Sequence, residues 1–495
     1  MRDEHRTPAS ALAAFGPEID DAAPPTFVEG ERHTGPGPEE FPSDPDFPEL
    51  AVATNPEAML HLFRKHLRPV AGRQLHIEAC MPFRFRCRQA TSRYVLQYTL
   101  RVADPESGRR WNHWVTGLLY SDRAKADQRW RELRFERPWH EAPEDWRTFE
   151  PIGLIPELRM LVEVFPYDRR LPHLSAVMAG GASQQLEPLL LARLGPGVWA
   201  VEERTIEPSR YRTELGAALE HRIRVQDSQS GRRETLRCFL KLYRKDHGAE
   251  AYRLLQSLRE WMENGPRPYS VIKPLTYLPE SGTLALEEAP GLSLGQLLIS
   301  GVDPDDALRR VARAVAAFNQ DDLPFTRIES REDQLKDVRS SSTLVQWACP
   351  PVKGMAQAIT VAVESGLQDV PAGPIHGDLK PDHIFLSDDD VAFIDLDSAV
   401  LGDPVRDPAH LFAYLTGKVG LGSAPRGAAR EATTAFVDEY FHHVPGSWRD
   451  RFPLHCAGAL LEVACGIFRH HEPGWRMQVR EVVEAGEHIL SHGFE

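Results

Sequence analysis

A stretch of 23 residues recurs in this chain 123 positions later, and the recurrence limits the possible folds more than any other feature. Residues 98–120 read Y-T-L-R-V-A-D-P-E-S-G-R-R-W-N-H-W-V-T-G-L-L-Y, and residues 221–243 read H-R-I-R-V-Q-D-S-Q-S-G-R-R-E-T-L-R-C-F-L-K-L-Y. Identical pairs include Arg101 and Arg224, Asp104 and Asp227, Ser107 and Ser230, Gly108 and Gly231, and Tyr120 and Tyr243. The same offset pairs Pro151 with Pro274, Pro156 with Pro279 and Glu157 with Glu280. An offset kept this far points to one supersecondary unit used twice. The rival reading is two unrelated hairpins with alike turns, since S-G is a common turn dipeptide.

Each copy has the same grammar. Alternating strands flank the S-G turn, a strand ends in L-Y, and a helical run follows, 124–135 in the first copy and 250–262 in the second. A further strand pair crosses P-E, and a short apolar helix precedes each copy, at 58–67 and 186–194. Strands, helix, strands in this order predict a small antiparallel sheet with one helix on a face.

Residues 1–52 are rich in Pro, Gly, Asp and Glu and bury too little apolar surface to offset their ordering entropy, so they are expected to form a disordered acidic tail, partly docked through Phe41 and Phe47. The formal net charge of −14 argues against non-specific nucleic-acid binding and against an anionic membrane surface. Six scattered cysteines without C-x-x-C spacing read as reduced thiols of a cytoplasmic protein. No signal pattern opens the chain, and the apolar stretch 457–468 is too short to span a bilayer.

Beyond residue 300 the pattern turns helical. D-P-D-D-A-L-R-R-V-A-R-A-V-A-A-F places apolar residues at helical spacing behind an acidic first turn. Helices are expected again at 408–415, 428–441, 454–468 and 477–490. Between them lies H-G-D-L-K-P-D-H-I-F-L-S-D-D-D-V-A-F-I-D-L-D-S, residues 376–398, with two short strands at 384–386 and 391–394. A hairpin of those strands would bring His383 and Asp395 to one point. The acidic triplet Asp388, Asp389 and Asp390 falls in its turn and reads as solvated.

Phosphoryl transfer to an alcohol needs positioned phosphates, a divalent metal and an acceptor for the hydroxyl proton. Protein kinases meet the last two needs with H-R-D-x-x-x-x-N and a later D-F-G aspartate. Here Asp378 stands at the base position, His383 at the asparagine and Asp395 at the D-F-G aspartate. H-G-D-x-x-x-x-H, then I-D-L-D at 394–397, then G-D-P-V-R-D at 402–407 resembles the aminoglycoside phosphotransferase and choline kinase-like family, from about residue 185 to the end. Gly377 in place of arginine, and only six residues between Asp395 and Gly402, favour a small-molecule enzyme over a protein kinase.

The resemblance implies an α+β, protein-kinase-like bilobal fold, with a β-rich small lobe over 185–290 and a helical catalytic and acceptor-binding lobe over 291–495. Residues 53–178 would precede it as a duplicated small-lobe-like domain, a cap or assembly surface. It implies ATP and Mg2+ as cofactors, Asp378 and Lys380 as catalytic residues, and His383, Asp395 and Asp397 as metal ligands. Lys241 resembles the phosphate-holding strand lysine, with Glu250 as its ion-pair partner and Glu260 as substitute, and Glu287 and Ala289 resemble the adenine-binding hinge. Asp407 would brace the catalytic loop, and His470, His471 and Trp475 lie where the family builds its acceptor pocket.

Two departures stand out. No G-x-G-x-x-G loop is present, since R-Y-R-T-E-L-G-A-A-L-E holds only Gly216, and Leu118 aligns with Lys241, so the first copy is not expected to bind ATP. The expected activity is ATP- and Mg-dependent transfer of a γ-phosphate to a hydroxyl of a small polar molecule, with a sugar or amino-sugar kinase as alternative. The rival from another class is a kinase-like nucleotide-binding or regulatory protein with little catalysis. The acceptor and the oligomeric state are left open.

Overall fold

Two five-stranded antiparallel sheets carry the same strand order. The first consists of β1 (His76–Arg88), β2 (Arg93–Ala103), β3 (Arg110–Tyr120), β4 (Ile152–Ile155) and β5 (Met160–Val164), ordered β1-β2-β3-β5-β4. The second consists of β6 (Trp199–Arg212), β7 (Gly216–Asp227), β8 (Arg233–Tyr243), β10 (Pro274–Leu278) and β11 (Thr283–Glu287), ordered β6-β7-β8-β11-β10, with the two-residue β9 (Ser270–Val271) lying in another sheet. The computed structural model describes residues 41–495 except 71, 89–92, 134–141, 301–302, 389, 420–425, 471–473 and 494–495. Residues 1–40 of the expected tail therefore lie outside the described residues, while Phe41 and Phe47 are buried and Phe41 stacks on Phe468 with ring centroids 5.3 Å apart.

The registers of the central pairings β2–β3 and β3–β5 correspond to those of β7–β8 and β8–β11, while the edge strand β6 is displaced by one residue relative to β1 over most of its length. Val102 faces Trp111 as Val225 faces Glu234, Leu118 faces Leu161 as Lys241 faces Leu284, and Leu154 faces Leu161 as Tyr277 faces Leu284. Each partner stands 123 positions after its counterpart. The shared D-x-x-S-G residues are those the turn demands. Ser107 Oγ donates to Asp104 at 2.7 Å and Ser230 Oγ to Asp227 at 2.5 Å, and Gly108 and Gly231 take left-handed φ of 71° and 72° that a Cβ disfavours.

The helices lie close to the expected segments. Of those with eight or more residues, α1 (Pro56–His66), α2 (Arg123–Leu133), α3 (Ser183–Leu191) and α4 (His247–Met262) belong to the two β-rich units. The larger helical lobe holds α5 (Asp305–Gln320), α6 (Arg331–Ala348), α7 (Lys353–Gly366), α8 (Arg406–Tyr414), α9 (Arg426–His442), α10 (Phe452–His470) and α11 (Trp475–His492). In α5, Leu308, Val311, Val315 and Phe318 fall on one buried stripe, and Asp305 and Asp306 sit at the positive end of the helix dipole. Each such side chain contributes about 1.5–3 kcal/mol on burial, so Val315→Asp would unseat the helix.

The segment Gly446–His470, which contains α10, is long and apolar enough to cross a membrane by length and composition, a longer element than its sequence suggested, and 83% of its apolar window is buried in the protein. Its apolar faces are covered by α6, α8 and α11. Small strands position the chemistry between the lobes. β12 (Leu292–Ser293), β14 (Ile384–Leu386), β15 (Val391–Phe393) and β9 form one sheet, and β13 (Gly373–Ile375) pairs with β16 (Val400–Gly402).

The first sheet leans on both lobes. Phe85 of β1 packs edge-on to Phe468 of α10 at 5.6 Å, while Arg86, Arg93 and Arg169 converge on the buried Glu214 in the β6–β7 turn, at 3.4, 2.6 and 3.5 Å. The turn where a glycine-rich loop is missing is thus a tight reversal held from outside.

Candidate active site

The loop 376–383 leaves β13 and is fixed from below. Asp407 accepts from the backbone N–H of His376 at 2.7 Å and of Gly377 at 3.1 Å, and from Asn319 Nδ2 at 2.9 Å. Gly377 has φ 79°, and a Cβ there would stand 2.6 Å from the Ser398 carbonyl oxygen, so the loop closes only over glycine. His376 donates from Nε2 to the Ile394 carbonyl at 2.8 Å, which ties the loop to the strand leading into Asp395. Burial, then the neighbouring His383, pushes its pKa down to about 4, so it is neutral at pH 7.

Asp378 follows on the loop between β13 and β14, with its side chain largely buried. Its Oδ2 receives the fully buried Lys380 Nζ at 3.1 Å, while its buried Oδ1 has no hydrogen-bond partner among the described residues. Burial would raise this carboxyl, yet Lys380, His383 and His410 outweigh it and hold the pKa at about 2. A buried, ionised acceptor atom without a donor is placed to receive a hydroxyl proton.

The β14–β15 hairpin brings His383 and Asp395 together, with Nε2 3.3 Å from Oδ2. Burial and Lys380 lower His383 to about 4, so the ring is neutral. Its Nδ1 donates to the Asp378 carbonyl at 2.8 Å, which leaves the Nε2 lone pair facing a carboxylate oxygen. Asp395 itself has left-handed φ 59°, uncommon outside glycine. Burial opposes its charge, but Lys241, His383 and Arg210 hold it well below the usual carboxylate range.

Lys241 Nζ lies 2.5 Å from Asp395 Oδ1 and 2.8 Å from Asp397 Oδ2, and Tyr243 donates to Asp397 Oδ1 at 3.0 Å. Burial would lower the lysine, but the two carboxylates keep it well above its ordinary value and charged. The expected partner Glu250 is not there. It lies exposed in the first turn of α4, 3.7 Å from His247, and Glu260 is exposed as well. Asp397, expected on the metal, faces Lys241, because the helical turn Leu396–Ser398 directs it back toward β8.

Glu287 ends β11, where its N–H donates to the Lys273 carbonyl at 3.0 Å, and Ala289 follows in the segment joining the lobes. His470 is buried at the end of α10, Trp475 is a core residue against Phe468, and His471 lies outside the described residues. Leu118 is fully buried among Val95, Tyr120 and Leu161, so an apolar cluster fills the first sheet where the second has its lysine. Asp390 is not free in solvent, since Ser270 donates to it.

Two cleft residues escaped the sequence reading. Arg210 reaches Asp395 Oδ2 at 3.5 Å, and Tyr243 holds Asp397. Arg210 sits opposite Ala218, which sits opposite Lys241, so the three share one row across β6, β7 and β8. The register alone would have shown this once the hairpin was accepted.

The side chains fit a nucleotide with a divalent ion in a limited way. Magnesium is bound by one or two protein ligands plus phosphates more often than by a protein cage. Asp395 and the His383 lone pair supply such a partial set, and no cluster of three His, Cys, Asp or Glu ligands exists among the described residues.

Residues 212–440 match the family model described as APH, phosphotransferase enzyme family. Comparison with curated proteins gives no match. Solved structures similar to the chain include a choline/ethanolamine kinase family protein from Mesorhizobium loti, at 13% identity and TM-score 0.38, covering 63% of this chain and 99% of that one. Others are the choline kinase LicA from Streptococcus pneumoniae (12%, TM-score 0.39, 62% and 99% covered) and the Plasmodium vivax ethanolamine kinase (12%, TM-score 0.39, 65% and 89% covered). Likeness at this level carries no acceptor with it. The family match spans the β6–β7 turn, Lys241, the H-G-D loop and the I-D-L-D segment, so residues 212–440 are similar to the phosphotransferase enzyme family.

Proposed function

We propose that the protein transfers the γ-phosphoryl group of ATP, in the presence of Mg2+, to a hydroxyl of a small polar molecule. The observation that carries this reading is the buried, partnerless Oδ1 of Asp378 next to the Lys241–Asp395 pair. Asp378 takes the hydroxyl proton as the new oxygen–phosphorus bond forms and the bond to ADP breaks. Lys380 keeps Asp378 ionised and turned toward the cleft. Lys241 and Arg210 hold the phosphate oxygens, and Asp397 with Tyr243 keeps the lysine on that side. Asp395 and His383 would hold magnesium, which supplies charge neutralisation between the phosphates. The Glu287 carbonyl and the Ala289 N–H would receive adenine.

The first β-rich unit is read as a duplicated small lobe reused as a cap. Its matching register supports duplication, and the contacts of Arg86, Arg93 and Arg169 with Glu214 support the capping role. Among the described residues Cys80, Cys238, Cys349, Cys456 and Cys465 are buried and not joined in disulfides, which is compatible with a cytoplasmic setting.

The test is ATP consumption with Mg2+ against sugars, amino sugars, amino alcohols, aminoglycosides and phosphorylated alcohols. Asp378→Asn is expected to lower kcat by at least about 100-fold, within the range of general-base catalysis, without loss of fold. Wild-type turnover in that variant overturns the assignment.

A further inference from the structure

His410 and Glu462 are buried titratable groups that the transfer chemistry above does not use. His410 lies on α8, three residues after Asp407, and reaches the same loop. Its Nδ1 donates to the Leu379 carbonyl at 2.9 Å, so it holds the residue between Asp378 and the Lys380 that pairs with it. Nδ1 carries the ring proton here, because a carbonyl only accepts. Burial pushes His410 down to about 4, so the ring is neutral at pH 7 and Nε2 keeps a bare lone pair. That Nε2 is buried and has no hydrogen-bond partner among the described residues.

Glu462 of α10 stands beside that lone pair, with Oε2 3.8 Å from Nε2. Both side chains line one cavity of about 260 Å3, its opening included, together with Gln334, Arg406 and His455. The other polar groups there are engaged elsewhere. Gln334 and His455 bond each other at 2.7 Å, His455 Nε2 donates to Asp403 at 2.9 Å, and Arg406 turns to Glu329 and Asp337. Burial lifts Glu462 to about 8 against the pull of Arg406, and the charges of Asp337, Glu329 and Asp378 push the same way. At pH 7 it is therefore a carboxylic acid, and a small turn in the cavity brings its proton onto the His410 lone pair.

The two ends of a neutral imidazole share a single proton. With Glu462 protonated, the carboxyl serves Nε2 and the ring proton stays on Nδ1 for Leu379. Once Glu462 gives its proton to solvent, its oxygens only accept, and the ring N–H exchanges from Nδ1 to Nε2 with no change in the ring's charge. The Nδ1 lone pair then meets the Leu379 carbonyl, two acceptors face each other, and the loop loses its tether. The charged groups that also face the ring are Asp378 and Lys380 on the loop and Arg406 on α8.

We infer that His410, governed by Glu462, is a positioning residue that holds Asp378 and Lys380 in their transfer geometry and releases them when Glu462 ionises. The inference rests on the phosphotransferase reading for its effect on turnover and on the loop contact alone for the tether.

The test has two arms. In the first, 15N NMR of the histidine-labelled full chain reads the His410 tautomer without nucleotide or acceptor, the signal being assigned by its loss in His410→Asn. A proton on Nδ1 at pH 7 that moves to Nε2 by pH 9 in the wild type, but not in Glu462→Gln, whose amide donates at every pH, supports the tether. A tautomer fixed across that range in the wild type, or the same change in Glu462→Gln, overturns it. In the second arm, kcat is followed from pH 7 to 9 with Mg-ATP and a phosphorylated acceptor from the panel above. The wild type should lose at least about 10-fold in kcat through about pH 8, the scale of a small misplacement of a reacting group, with the ATP KM unchanged and the profile flat in Glu462→Gln. His410→Phe, which fills the site without a donor, should be at least about 10-fold slower at pH 7. His410→Asn, whose amide donates from near the Nδ1 position, should recover most of that loss and show no basic limb. A basic limb kept in Glu462→Gln, or His410→Asn as slow as His410→Phe with both folded by circular dichroism, overturns the positioning role. If the tautomer responds as expected but no acceptor is phosphorylated, the transferase reading fails while the tether stands.

Discussion

Asp397 Oδ2 lies 2.8 Å from Lys241 Nζ, joining a residue two positions after Asp395 to the strand lysine of β8. In this protein the lysine partner comes from the helical lobe and not from the helix after β8. Lys241 of β8 thus meets Asp395 and Asp397, which follow β15, in one ion-pair cluster.

That pairing separates two variants. Asp397→Ala is expected to raise the ATP KM by about 10-fold or more, the scale of a lost charge-assisted bond. Glu250→Gln, on an exposed side chain, should stay within about two-fold. Steady-state kinetics in ATP distinguishes them, and the opposite ranking contradicts the assignment.

The turn clamped by the first unit depends on one carboxylate. Glu214→Gln leaves Arg86, Arg93 and Arg169 without their shared counter-charge. Removing one partner of a buried pair costs about 3–5 kcal/mol, so the melting temperature should drop by several degrees in a thermal scan. The ATP KM should rise with it, because Arg210 and Arg212 hang from the same hairpin.

Activity should fall as pH falls through about 6, and the cause is Asp407, not Asp378. Burial raises Asp407 to about 6, and protonation removes an acceptor used by the His376 and Gly377 N–H groups. Asp378, held at about 2, stays ionised throughout that range. Asp407→Asn should therefore lower kcat and abolish the acidic limb. A limb that persists near pH 6 in Asp407→Asn contradicts this.

Glu462 in α10 predicts a stability profile. Burial, only partly offset by Arg406, raises its pKa to about 8, so the folded state binds more protons than the unfolded one between the ordinary carboxylate range and pH 8. Stability must then decline as pH rises across that window and level off above it. Glu462→Gln should remove the decline and stabilise the protein at pH 8 and above by an amount on the order of a few kcal/mol. Urea unfolding at pH 5, 7 and 9 checks the sign.

The parts legible in sequence were those governed by local rules. The D-x-x-S-G turns, the alternating strands and the hairpin joining His383 to Asp395 follow from turn chemistry and period two. What could not be read were contacts fixed by tertiary placement. Asp397 reaching Lys241 across 156 positions, and Glu214 gathering three arginines, have no local signature. Arg210 lay between, hidden in the strand pattern but deducible from the ladder row it shares with Lys241.

The most direct measurement is calorimetric titration of ATP, with and without Mg2+, into the wild type, Lys241→Ala and Asp395→Ala. A shared transfer centre predicts that the wild type binds Mg-ATP, that omission of Mg2+ weakens binding, that Lys241→Ala weakens it by at least about 10-fold, and that Asp395→Ala loses the magnesium dependence. Equal affinity in all three proteins, or magnesium dependence kept in Asp395→Ala, would contradict it.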